Sequence, residues 1–123
     1  MKKQITFVII LVITVSCFNF KVNASEDFEK AMKKAKKNLK TAMNKSDESL
    51  LKKSRGEFER ILQLKEDQWL VNYYIAHSDY GLALNASINQ KTDNVKKFTQ
   101  SGIDVINKSI DANPEFADAF VLL

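Results

Sequence analysis

From residue 28 onward the apolar residues recur at intervals of three and four, and this spacing commits most of the chain to helices. Phe28, Met32, Ala35, Leu39 and Met43 fall on one side of such a helix, while Lys30, Lys33, Lys34, Lys36, Lys37 and Lys40 fill the other. Strands half-buried in a sheet would alternate at a period of two, and no stretch after Ser25 does so. Only three Gly and one Pro interrupt the 123 residues. So few breakers predict helices joined by short turns.

The pattern divides into five segments. Ser25 is placed to cap the first helix, with Glu26 and Asp27 in a first turn where the helix dipole favours acids. Asn44-Lys45-Ser46-Asp47 breaks the pattern and caps a second helix, whose stripe is Leu50, Leu51, Ser54, Phe58, Ile61 and Leu62. Gly56 inside it predicts a close helix contact or a bend. After a turn at Lys65-Glu66-Asp67, a third helix begins near Gln68 and carries Trp69, Tyr73, Tyr74 and Tyr80. The polar run from Asn89 to Asn94 predicts a loop. A fourth helix buries Val95, Phe98, Gly102, Ile103, Val105, Ile106 and Ile110, and Asn113-Pro114 ends it, because the residue before proline is pushed out of helical geometry. Phe116, Ala117, Ala119 and Phe120 open a fifth helix that is still running at Leu123, which predicts a fragment of a longer repeat protein.

The first 24 residues follow different rules. Lys2 and Lys3 precede the apolar run Ile5 to Val15, Asn19 and Lys21 end it, and Val22-Asn23-Ala24 supplies the small residues read by a signal peptidase. The run is shorter than the roughly 20 residues that span a bilayer. We expect a signal peptide over 1–24, cleaved between Ala24 and Ser25, and hence a periplasmic or secreted bacterial protein. Val15-Ser16-Cys17 also resembles the end of a lipoprotein box, with Thr14 where that motif prefers Leu, so lipidation at Cys17 is the alternative. Cys17 is the only cysteine; residues 25–123 therefore have neither disulfides nor thiol chemistry.

Charge follows the same division. The leader holds three of the 19 basic residues and none of the 15 acidic ones, so the rest of the chain is nearly neutral. Residues 25–64 carry 11 basic and 7 acidic side chains, and residues 65–123 carry 5 and 8. The lysine-rich first helix has no interleaved aromatics and is expected to be a solvated face; nucleic acid is not an expected partner, and weak contact with an anionic envelope surface is the alternative.

Within the fourth and fifth segments, Gly102, Ile106, Ser109, Pro114 and Phe120 stand in the register of a repeat in which small residues let paired helices approach and a proline sets the turn. In this the chain resembles the tetratricopeptide repeat family. Trp69 suits the opening aromatic of an earlier unit, with Tyr73 and Ala76 behind it, and Ser54, Phe58 and Ile61 suit the helix before that. Trp69 to Pro114 exceeds the family spacing, which requires longer third and fourth helices or an inserted loop. The resemblance implies an all-α fold over residues 25–123, with antiparallel helical hairpins stacked as a solenoid. It also implies binding of a protein or peptide, with no cofactor and no catalysis. The alternative is the helical N-terminal portion of a larger exported enzyme or transport component.

Little chemistry competes with that expectation. His77, the single histidine, lacks an orienting acid on its own helix face and is expected to pack rather than react. Asp104 or Asp111 could approach it only from the fourth helix. One imidazole and scattered carboxylates predict no metal site. Trp69 and Tyr73 share a face that His77 and Tyr80 continue, which is the pattern of a core stripe. Tyr74 falls off this stripe and is the candidate partner contact. No phosphate loop, nucleophile elbow or paired-carboxylate spacing occurs.

Overall fold

The computed structural model describes residues 25–123, all of whose regular structure is helical. Five helices pack together: α1 (residues 25–45), α2 (Glu48–Leu62), α3 (Gln68–Ile88), α4 (Thr92–Ala112) and α5 (Ala117–Leu122). The expected leader, its cleavage point at Ala24 and Cys17 lie outside the described residues. Ser25 is already helical and exposed.

Phe28, Met32, Ala35 and Leu39 of α1 are buried as their spacing predicts, but Ala42 is fully buried where the spacing predicts Met43, and Met43 is only partly so. They meet Leu51, Phe58 and Ile61 of α2 and Val71, Ile75 and Leu82 of α3. Asn38 on α1 also donates to both carboxylate oxygens of Glu57 on α2, at 3.1 and 2.9 Å. A smaller cluster of Ala76, Ile106 and Ala119 joins α3, α4 and α5, with Tyr73, Ile110 and Phe116 packed around it. Helix α3 is therefore central, shared by both clusters, and α4 and α5 both pack on it.

The turns are tight without glycine. At the end of α1, the Asp47 and Ser46 amides donate back to the carbonyls of Ala42 and Met43 at 3.3 and 3.1 Å. At the end of α3, those of Lys91 and Gln90 reach Ala86 and Ser87 at 2.8 and 3.0 Å. Both are Schellman closures, and both put a non-glycine residue in the left-handed region, Ser46 at φ 49° and Gln90 at φ 55°. The Asp47 side chain then caps α2 by accepting from the Leu50 amide at 3.0 Å, as the sequence predicts.

Two expectations are corrected. The loop predicted over residues 89–94 is only three residues long, because Thr92, Asp93 and Asn94 form the first turn of α4. That turn is polar because it projects into solvent, and Asp93 there complements the helix dipole. The long spacing from Trp69 to Pro114 thus comes from two 21-residue helices and not from an inserted loop. Gly56 marks neither a contact nor a bend: α2 runs unbroken, and a Cβ there would meet only the Arg60 guanidinium at 3.7 Å. The close approach is at Gly81, where a Cβ would collide with the Met43 sulfur and lie 2.9 Å from Leu51 Cδ2. Glycine lets α3 sit close against α1 and α2 there, and a larger residue would have to push the Met43 and Leu51 side chains aside.

A candidate interaction groove

Of the residues expected to hold a repeat register, Gly102, Ile106 and Ser109 lie against α3, whereas Pro114 and Phe120 are exposed. Ile106 and Ser109 are fully buried, and the Ser109 hydroxyl donates to the Trp69 carbonyl at 2.7 Å, so the small side chain ties α4 to the first turn of α3. Gly102 lies against Asp79 and Ala76 of α3, with room for ordinary contact. Pro114 is exposed in the α4–α5 turn, and Asn113 before it has left helical geometry at φ −145°, ψ 81°.

The aromatic stripe of α3 is continuous but changes character along its length. Phe116, at the start of α5, packs edge-on against both Trp69 (4.9 Å between ring centroids) and Tyr73 (5.0 Å). Phe120, which the repeat register singles out, is instead about half exposed. Tyr73 continues to His77 at 5.9 Å, and His77 to Tyr80 at 6.4 Å. His77 is half-buried; its Nδ1 is enclosed and has no hydrogen-bond partner, and burial lowers its pKa. Asp104 and Asp111 both project into solvent. Burial, with Asp118 nearby, raises the pKa of Tyr73.

Tyr74 leaves the stripe as expected but is only half-exposed. Its ring stacks on Phe58 at 5.2 Å and 12°, and the Lys36 ammonium lies 5.5 Å from its centroid. Tyr80, expected to belong to the core stripe, is 46% exposed because the stripe runs past the end of α5 there. Of the two, Tyr80 offers the freer surface.

Tyr80 opens onto a groove of about 400 Å³. Helix α3 supplies Ala76, Tyr80, Ala83 and Leu84; α4 supplies Val95, Phe98, Gly102 and Ile103; Leu122 and Leu123 close one end. The polar side chains lining it are the hydroxyl-bearing Tyr80, Ser87 and Thr99, and no charged residue lines it. Leu84 is 44% exposed, and Ile88 just beyond it is 72% exposed. The surface is apolar, concave and neutral.

Behind the groove lies a polar network that the sequence did not announce. Asp79 on α3 is fully buried; Arg55 on α2 donates to it through Nε at 2.6 Å, and the Ser101 hydroxyl on α4 donates to it at 2.7 Å. Arg55 Nη2 also donates to Ser101 Oγ at 3.2 Å and, at 3.4 Å, to Asp79 Oδ2, while Nη1 pairs with Glu59. Burial works against the guanidinium charge, but Asp79 and Glu59 more than offset it and raise its pKa. Arg55 is the one side chain here that bridges α2 to α4, and Asp79 is the post it fastens to. Asn85, also buried, donates to the Ser46 carbonyl and pins the α1–α2 turn onto α3. The burial of Asp79 had one sequence signal: it stands four residues after Ile75 and three before Leu82, on the apolar side of α3.

Among the described residues no group of three or more His, Cys, Asp or Glu comes together in a way that would hold a metal ion, and no helix is long and apolar enough to cross a membrane. Compared with known protein families, curated proteins and solved structures, the chain matches none.

Proposed function

We propose that this chain is an exported helical-repeat scaffold whose groove between α3, α4 and α5 holds a protein partner and which does no chemistry of its own. The observation that carries the proposal is the groove itself: a concave apolar surface beside exposed Tyr80, Leu84 and Ile88. Apolar surface of this kind, left open beside a well-packed core, favours binding. The helix contacts support a stacked arrangement. Helix α3 packs on α1 and α2, and α5 packs on α3 and α4, so the same relation recurs one hairpin later. That recurrence is what a tetratricopeptide-like solenoid requires.

The lining also defines the partner's chemistry. A neutral apolar channel fits the apolar face of an amphipathic helix, anchored at intervals of three and four residues, and disfavours a charged strand whose desolvation nothing here would compensate. Export rests on the sequence of residues 1–24, in which Lys2 and Lys3 precede the apolar run Ile5 to Val15 and Val22-Asn23-Ala24 follows it.

A photo-crosslinking residue placed at Leu84 tests the proposal, with Lys53, an exposed position on α2, as control. Expression in the native cell should give one dominant adduct from position 84 and none from 53. Substituting Thr99→Arg in the groove should abolish it. Equal adducts at both positions, or none at 84, would refute the groove as the binding surface.

A further inference from the structure

A second surface lies on α1, none of whose residues lines the groove. Between residues 30 and 45, α1 carries seven lysines and no acid. At 100° per residue, Lys30, Lys33, Lys34, Lys36, Lys37 and Lys40 spread over an arc centred opposite the buried stripe, and all six are exposed. Only Lys30 is paired, with Glu26; among the described residues Lys33, Lys34, Lys37 and Lys40 have no carboxylate within 4.0 Å. From Lys30 to Lys40 the face is about 15 Å long at the rise of an α-helix. Along one edge, Lys34 and Arg60 rim a shallow α1–α2 cleft floored by Ala31, Ala35, Ile61 and Leu64, and Leu64 is half-exposed.

We propose that the outer face of α1 docks on an anionic lipid surface. The charge is diffuse and convex, which suits a broad plane of like charges. Helix α1 itself contains no arginine, a single Arg60 standing at its edge, and no exposed aromatic platform for bases, so it lacks the clustered forks and stacking surfaces that nucleic-acid recognition uses. It also lacks the buried anchors that hold a protein partner, since the apolar side of α1 is committed to the core. The cleft at its edge gives Leu64 a place to meet the lipid boundary, an apolar foothold of no use to a soluble polyanion. The C-terminal half of α4 together with α5 is acidic, with Asp104, Asp111, Glu115 and Asp118 exposed against Lys108, whereas the first half of α4 exposes Lys96 and Lys97 against Asp93. An anionic surface therefore attracts α1 and repels the α4–α5 end of the chain.

Each lysine held near such a surface is worth about fivefold in partitioning. The test uses the chain in the form that a cell yields, its N-terminus read by mass spectrometry, with vesicles of phosphatidylcholine alone or containing 30% phosphatidylglycerol as the probe. Any contribution of residues 1–24 is the same in every variant and cancels. The wild type should prefer the anionic vesicles and leave them in high salt. Together Lys33→Gln, Lys34→Gln, Lys37→Gln and Lys40→Gln should weaken that binding on the order of several hundredfold, with helicity unchanged. The same four positions changed to Arg should retain it. Equal binding of the wild type to both vesicle types, or unchanged binding by the Gln variant, overturns the proposal. So does tighter binding to duplex DNA or polyglutamate than to the vesicles, which would assign the face to another polyanion. None of these measurements touches the groove, so either proposal can fail alone.

Discussion

Replacing Arg55 by methionine should cost more stability than replacing Asp79 by asparagine, although the two side chains share the same ion pair. The asymmetry follows from their surroundings. Asp79 is fully buried, whereas about a quarter of the Arg55 side chain is open to solvent and it has a second partner in Glu59. Arg55→Met leaves a carboxylate sealed among α2, α3 and α4 with only the Ser101 hydroxyl, and stranding a buried charge in this way costs about 3–5 kcal/mol. Asp79→Asn leaves a guanidinium that can turn toward Glu59 and water, while the amide oxygen can still accept from Arg55; the expected cost is about 1–3 kcal/mol. For a domain of this size each kcal/mol lowers Tm by about 4–8 °C. Urea unfolding followed by helical circular dichroism, at neutral pH and with matched m-values, gives both costs. The double variant should be less destabilised than the two single costs predict together, by about 0.5–3 kcal/mol. Equal costs, a larger cost for Asp79→Asn, or additive costs would each refute the idea that burial of the carboxylate sets the energetics.

Four further outcomes follow from the geometry. Gly81→Ala should destabilise the fold by about 1–3 kcal/mol through overpacking against Met43 and Leu51, whereas Gly56→Ala should stabilise it by about 0.5–1 kcal/mol; thermal melts of both variants check the pair. Gln90→Gly should raise Tm, because glycine occupies the left-handed position of a Schellman closure without strain. The single histidine gives an unambiguous NMR titration, and its midpoint should lie below 6.5 because burial disfavours the imidazolium. The unfolded chain then binds more protons, so this group's stabilisation is full above pH 6.5 and falls as the pH drops toward the folded midpoint; His77→Phe should flatten that part of the Tm profile. Glu48, held at a pKa of about 2 by hydrogen bonds from Lys52 and Lys91, stabilises the fold above pH 4.5 and loses that contribution as the pH falls toward 2. Glu48→Gln should remove this acid dependence.

How much of this was legible in the chain depends on which forces leave a periodic trace. Apolar burial does: the stripes of α1 and α2 could be read from Phe28 to Ile61, and Asp47 and Pro114 marked helix ends through chemistry specific to their types. Backbone closure without glycine does not. Ser46 and Gln90 adopt left-handed geometry because the flanking helices impose it, so the α3–α4 turn looked like a six-residue loop when it is half that length. Long-range polar contacts leave the weakest trace. Arg55, Asp79 and Ser101 lie on three different helices, and nothing in their spacing along the chain joins them. They nonetheless bear directly on the proposed groove. The network fixes α4 relative to α2 from behind, and Phe98, which lines the groove, stands three residues before Ser101 on α4. Helices α3 and α4 already pack closely through buried Ile106 and the Ser109–Trp69 hydrogen bond. The buried carboxylate adds a polar tie between them at Ser101, so substitutions at Asp79 should change affinity for the proposed partner by altering the spacing of α3 and α4, even though Asp79 does not line the groove.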